Sequence, residues 1–326
     1  MSDPLYLGFD VGSVSTNLVL LEESGTVRAS FYRYTRGDPI GATRAILTEA
    51  LGGAQAGSAE VVGVGVTGSG RNLIGSVVGA DVKRTEIIAH FRGAVETRPG
   101  CGTIIEIGGQ DSKIVVVQGG MVADFNMNSI CAAGTGAFLD SQARRLGIEV
   151  EDIGDLALGA ERAAPISGRC TVFAESDMIH RQQQGFGQAE ILAGLCRSLV
   201  RNYLNNCAKG KPIRDEVLFL GGVSNNRGIV KAFEEELGTN VIVPEHNAVM
   251  GAVGMALFAR EAAADGPTRF KGLDTISTAE FETRSFGCGK CENQCDIIRV
   301  TENGETIAYW GGACDRWTSR GGKDPE

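Results

Sequence analysis

The sequence predicts a mixed α/β fold built twice, and three observations predict it. Phe9-Asp10-Val11-Gly12-Ser13-Val14-Ser15-Thr16-Asn17-Leu18-Val19-Leu20 aligns without a gap on Ile105-Glu106-Ile107-Gly108-Gly109-Gln110-Asp111-Ser112-Lys113-Ile114-Val115-Val116, 96 residues later. Each copy reads as an apolar strand, a turn carrying an acid and glycine, and a second strand. The surrounding pattern also recurs. Apolar runs predict strands at Leu5–Asp10, Asn17–Glu22 and Val27–Tyr34, and helical periodicity then runs from Pro39 to about Leu51, before a strand at Val61–Val66. The same β-β-β-α-β order restarts at Thr103, with strands through Val117 and at Met121–Phe125 and a helix after Gly134. Helices follow near Thr171–Gln184, Gln188–Ala208, Arg227–Leu237 and Ala248–Ala263, with a strand at Asn240–Val243. The expected organisation is a first half over 1–98, completed by the helix near 247–264, and a second over 99–246, with a cleft between them. At Ala264-Asp265-Gly266-Pro267 helical periodicity stops, so 265–326 is expected to be a separate Cys-rich module.

At 326 residues the chain is long enough for about two domains. Apolar residues make up 43% and charged residues 22%, as in globular proteins, and the formal charge is −9. With no clustered basic face, a nucleic-acid partner is not expected. No basic-then-apolar leader and no apolar run of about 18 residues is present, so the expectation is a cytoplasmic protein with no membrane partner.

The two turns resemble the jaws of a nucleotide clamp. Gly12, Gly108 and Gly109 let backbone N–H groups approach an anion, while short hydroxyl and acidic side chains reach a phosphate or its magnesium. Ordinary hairpins use the same residues, but two copies at matched positions favour function. A third element, Leu218-Phe219-Leu220-Gly221-Gly222-Val223-Ser224, places paired glycines after a strand, with Asn225-Asn226 opening a helix suited to a nucleobase or ribose. No G-x-x-x-x-G-K-[ST] segment exists, which excludes a P-loop.

Nine cysteines, an odd number, argue against a disulfide framework. Cys131 and Cys170 each stand just before a predicted helix, where N–H groups and the macrodipole favour a negatively charged ligand or cluster. A buried small hydrophobe is the commoner fate of either alone. Two thiolates leave a [4Fe–4S] cluster two ligands short, and a symmetric dimer would supply the other pair. In the tail, Cys288, Cys291 and Cys295 form C-x₂-C-x₃-C, and Cys314 follows at a distance. Four thiols on short loops suit zinc or an iron–sulfur cluster. Phe286, Tyr309, Trp310 and Trp317 are expected to pack around them.

Taken together, Asp10-Val11-Gly12-Ser13, Ile107-Gly108-Gly109-Gln110-Asp111, Cys131-Ala132-Ala133-Gly134-Thr135-Gly136, Cys170-Thr171-Val172-Phe173-Ala174-Glu175 and Gly221-Gly222-Val223 resemble the ATP-dependent activators of 2-hydroxyacyl-CoA dehydratases and the ATPase subunits of benzoyl-CoA reductase, over about Leu5 to Ala263. The resemblance implies the duplicated ribonuclease-H-like, actin-like ATPase fold of the acetate and sugar kinases, and an anaerobic homodimer with a [4Fe–4S] cluster bridged by Cys131 and Cys170. It implies ATP or ADP with Mg²⁺, and an ATPase that drives one low-potential electron onto a partner iron–sulfur enzyme, with ferredoxin or flavodoxin as donor. By matched positions, Asp10, Gly12, Ser13, Val14 and Ser15 form the first phosphate loop and Gly108 to Asp111 the second. Asp10, Gln110 and Asp111 are the candidate catalytic residues. Gly134, Thr135 and Gly136 are candidates for the phosphate side, and Gly221, Gly222 and Val223 for the adenosine side. The chain departs from the pattern at Thr67-Gly68-Ser69-Gly70-Arg71, where serine stands for an aromatic residue. A small-molecule kinase of the same fold and an ATP-dependent regulatory switch are the alternatives, neither of which needs Cys131 and Cys170.

Overall fold

In a computed structural model of the chain, residues 3–53, 57, 59–128, 131–314 and 316–317 are described. Ser129 and Ile130 of the Cys131 motif and the charged tail after Trp317 lie outside them. The fold is the duplicated mixed α/β architecture expected, in two compact units, residues up to Ala89 with those from Gly251 onward, and His90–Met250.

The first unit holds β1 (Pro4–Val11), β2 (Ser15–Glu22), β3 (Val27–Tyr34), α1 (Pro39–Gly52), β4 (Glu60–Thr67), α2 (Arg71–Val78) and β5 (Val82–Lys83), and α3 (Glu86–Thr97) leads out of it. Its sheet runs β3-β2-β1-β4-β5. The first three strands are antiparallel, and β1–β4 and β4–β5 are parallel. β1 is buried almost end to end because it is covered on both faces, as central strands of α/β sheets are. Leu5, Leu7, Phe9 and Val11 meet Ile46 and Leu47 of α1 and Ile74, Val77 and Val78 of α2. Asp38 starts α1 by accepting the Gly41 N–H, with Pro39 in the first turn.

The second unit repeats the plan with β6 (Thr103–Ile107), β7 (Ser112–Gln118), β8 (Met121–Asn128), α4 (Gly136–Leu146), α5 (Ile153–Leu158), α6 (Thr171–Gln183), α7 (Gln188–Asn206), β9 (Val217–Leu220), α8 (Arg227–Leu237) and β10 (Val241–Ile242). Its sheet, β10-β9-β6-β7-β8, has the same directions. Tyr203 of α7, Phe219 of β9 and Phe233 of α8 are fully buried in edge-to-face contact, with centroids 5.0 to 5.5 Å apart. The sequence repeat is also a register repeat. Val11 pairs with Thr16 and Ile107 with Ser112. The Gly12 N–H donates to the Ser15 carbonyl at 2.8 Å and the Gly108 N–H to that of Asp111 at 3.0 Å.

After α9 (Met250–Ala262) come α10 (Leu273–Thr278) and an antiparallel sheet of β11 (Phe281–Gly287), β12 (Asp296–Glu302) and β13 (Glu305–Trp310). This segment, expected to stand apart, is stitched into the first unit. Ile276 is fully buried in that unit's core, the Arg44 guanidinium donates to the carbonyls of Ile276 and Ala279, and the Lys271 N–H donates to the Val78 carbonyl at 3.1 Å. So few residues have little core of their own and borrow one. Phe286, Tyr309 and Trp317, three of the four aromatics expected there, form a ring cluster against which Cys288 and Cys295 pack. No helix among the described residues is long and apolar enough to cross a membrane.

Candidate functional site

Each of the two duplicated turns is held by its carbonyls. In the first, the Thr35 hydroxyl donates to the Gly12 carbonyl at 2.9 Å and the Thr35 N–H to that of Val14 at 2.8 Å. In the second, the Gly136 N–H donates to the Gly108 carbonyl at 2.9 Å and the Ala137 N–H to that of Gly109 at 2.8 Å, so α4 begins on the turn itself. The first amides of α4 therefore brace the turn. Thr135 is fully buried, and its hydroxyl donates back to the Ala132 carbonyl.

The chain leaves β9 through Gly221, whose φ of +86° an L side chain rarely adopts. A Cβ there would lie 2.3 Å from the Ile107 carbonyl oxygen. The same device follows β4: Gly68 has φ +90°, and its Cβ would lie 2.3 Å from the Val11 carbonyl oxygen. Val11 and Ile107 end β1 and β6, so the glycine turn after the fourth strand is also duplicated. Sequence patterning reveals it only at Gly221. The Ser224 hydroxyl donates to the Gly221 carbonyl at 2.7 Å, and the Asn247 amide to Ser224 at 2.6 Å and Asn225 at 2.8 Å. Gly222 differs from its neighbour, since a Cβ there meets nothing within 4 Å. Gly221→Ala is expected to cost about 1–3 kcal/mol of stability and Gly222→Ala under about 1; urea midpoints of the two variants check this.

Within the second unit these pieces converge. Gly136 approaches Val223 and Gly109 closely enough that a Cβ on it would lie 3.2 Å from Val223 Cγ2 and 3.4 Å from Gly109 Cα. A cavity of about 520 Å³ opens beside Ser224 and Asn225, walled by Leu158 and Val243 and carrying Arg227 and Lys231. The hollow is largely open to solvent, and Glu234 also lines it. Asn17 Oδ1 and Ser112 Oγ, on the strands leaving the two turns, are buried with no hydrogen-bond partner among the described residues. Thr43 Oγ1 and Gln142 Oε1, on α1 and α4, share that condition. Asp10 and Glu106 occupy the same register position, and Asp111 is held 3.0 Å from the Lys113 ammonium.

The cysteines sort by environment. Cys101, Cys196 and Cys207 are buried, and desolvation raises all three thiols, that of Cys196 to about 12. Cys131 and Cys170 are half-buried. Cys131 precedes a helical turn at Ala132–Gly134, and Cys170 stands at the N-cap of α6 with extended backbone. A residue with no signal in the sequence pattern joins them. Asn202, fully buried on α7, places Oδ1 3.8 Å from Cys131 Sγ while its amide donates to the carbonyls of Gly168 and Arg169, directly before Cys170. Val172 and Phe173, beside Cys170, are exposed.

In the tail, Cys288 follows β11, Cys295 precedes β12 and Cys314 follows β13, all at one end of the sheet. Cys288 Sγ accepts the Trp317 indole N–H at 3.2 Å and the Lys290 N–H, which lower its pKa; Cys295 Sγ accepts the Ala313 N–H at 3.4 Å. The expected closure of four sulfurs around one ion is not assembled. Among the described residues no three His, Cys, Asp or Glu side chains are grouped to hold a metal, and Cys291 and Cys314 are exposed.

Comparisons with known proteins find relatives over most of the chain. The profile of the BadF/BadG/BcrA/BcrD ATPase family matches residues 7–259. The chain is 34% identical over 258 residues to the (R)-2-hydroxyglutaryl-CoA dehydratase activating ATPase of Acidaminococcus fermentans, covering 79% of this chain and 98% of that protein. It is 32% identical over 268 residues to the 2-hydroxyisocaproyl-CoA dehydratase activator of Clostridioides difficile, covering 82% and 99%. The solved structure of a Clostridium difficile activator of the 2-hydroxyisocaproyl-CoA dehydratase, with bound ADPNP, superposes with a TM-score of 0.73 over 80% of this chain and 96% of that one, at 32% identity. With its duplicated glycine turns, its paired thiols and this match over most of its length, the chain belongs to the BadF/BadG/BcrA/BcrD ATPase family.

Proposed function

We propose that the protein is an ATP-dependent activator that passes single low-potential electrons to a partner iron–sulfur enzyme. The observation that carries this reading lies within the second unit. Two half-buried thiols, tied through Asn202, stand at helical starts, and only four residues separate Cys131 from Gly136, whose N–H holds the second phosphate turn. A change in that turn on ATP hydrolysis would move α4 and with it the Cys131 loop. The phosphates are assigned to the turns at Gly12–Ser15 and Gly108–Asp111 and the adenosine to Gly221–Val223 and the adjoining cavity. Asp10, Gln110 and Asp111 orient magnesium and the attacking water.

The thiols fit a shared [4Fe–4S] cluster: two accessible sulfurs per chain, with a second copy of the chain supplying the other two. When bound, such a cluster supplies one electron, which a ferredoxin or flavodoxin restores. The N–H···S bonds at Cys288 and Cys295 support the tail as the place of a second, zinc or iron–sulfur, site, which would take Cys288, Cys291, Cys295 and Cys314. The names of the relatives support a 2-hydroxyacyl-CoA dehydratase or a related reductase as acceptor.

The test is iron, zinc and acid-labile sulfide per chain in anaerobically purified protein, with ATP turnover measured alongside. About two irons per chain are expected from one shared cluster, and about six if the tail holds another. ATP turnover with no iron would overturn the electron-transfer reading in favour of a kinase or a regulatory switch.

A further inference from the structure

The two phosphate turns differ at two linked positions. In the first, Asp10 pairs directly across the strands with Asn17; in the second, Glu106 pairs with Lys113. By the same alignment Ser15 of the first turn becomes Asp111 of the second. The second turn has thus gained a carboxylate and an ammonium together, and both sets carry one net negative charge.

The geometry shows why the two changes belong together. Lys113 Nζ lies 2.8 Å from Glu106 Oε2 and 3.0 Å from Asp111 Oδ1. The Lys113 side chain is 4% exposed, that of Glu106 7% and that of Asp111 31%. The buried Tyr203 hydroxyl donates to the Lys113 carbonyl at 2.8 Å and anchors the strand beneath the ammonium. Glu106 lies under the glycines of the site: a Cβ on Gly108 or Gly221 would come within 3.3 or 2.8 Å of its Oε1.

We propose that Lys113 is a positioning residue of the ATPase site: it offsets the charge that Asp111 adds beneath an incoming triphosphate and holds the Asp111 carboxylate in one orientation. The inference rests on the ATPase reading given above. At the equivalent position Asn17 is neutral, and no acid stands at Ser15 to be offset. A lysine placed only to neutralise Glu106 would have no need to reach Asp111. Removing one partner of a buried ion pair strands the other charge, whereas replacing both with neutral groups is tolerated.

The experiment compares wild type, Lys113→Met and the double variant Glu106→Gln with Lys113→Met, measuring KM for MgATP, kcat and thermal unfolding. Lys113→Met removes the ammonium that lies beside both carboxylates under the triphosphate, and KM is expected to rise about tenfold or more. The double variant restores the net charge and the fold, so KM returns to within about threefold of wild type. Its kcat stays at least about tenfold low, because Asp111 has lost its clamp. A double variant that regained wild-type kcat along with its thermal midpoint would show a purely structural ion pair and overturn the proposal. If Lys113→Met fails to fold, the double variant decides by its kcat. A wild-type protein that turned over no ATP would overturn the ATPase reading, and this inference with it, and is told apart because wild type itself fails.

Discussion

Cys170→Ala is expected to lose nearly all its iron, and electron delivery with it, while ATP turnover stays within a fewfold of wild type. The thiol can be removed with little harm to the fold. Cys170 caps α6 through its carbonyl, which accepts the Ala174 N–H, and its side chain makes no capping bond. The expected stability cost is below about 1 kcal/mol. Cys131→Ala should behave alike, since the Asn128 bonds that hold its loop use the Cys131 backbone. Cys196→Ala provides the contrast: a buried thiol packed in the second core should cost stability without touching iron. Iron analysis with visible absorbance, beside ATP turnover, separates these cases. Iron retained in full by Cys170→Ala would move the cluster elsewhere in the chain, with the tail cysteines first to be tested.

Asp111→Ala is expected to slow ATP hydrolysis by about a hundredfold or more while nucleotide still binds. The side chain is part-exposed at the tip of the second turn, and its carbonyl, which accepts the Gly108 N–H, survives the substitution. Glu106 remains to pair with Lys113, so the fold should hold. Single-turnover hydrolysis with calorimetric nucleotide titration makes the check. Undiminished turnover would leave Gln110 and Asp10 as the candidates.

Much of this site is legible in the amino-acid sequence. The hairpin turns announce themselves because strand alternation and glycine punctuation are local, and the gapless repeat implies a shared register that the Val11–Thr16 and Ile107–Ser112 pairs display. The helix starts at Cys170 and Arg227 are likewise readable from the composition around them. Harder to see are the short helices α2 and α5, too brief to show a period of 3.6 residues, and Gly68, whose equivalence to Gly221 lies in a backbone angle and a facing carbonyl rather than in neighbouring residue types. Residue type also ranks Gly221 and Gly222 alike, although only the first has a left-handed backbone pressed against a strand end.

By itself the sequence determined the fold class, the duplicated turns at Gly12 and Gly108, the glycine pair after β9 and the sulfurs worth testing, because each is written in a short run of residues. The tertiary structure alone decided which side chains hold those runs in place: Asn202 at Cys131, 71 residues away, Thr35 under Gly12, Asn247 on Ser224, Tyr203 beneath Lys113, and Ile276 buried in the first core. It also decided that Cys101, Cys196 and Cys207 are buried while Cys131 and Cys170 keep an accessible side. Such contacts depend on how sheets and helices pack, and packing brings together residues whose types carry no local trace of their partners.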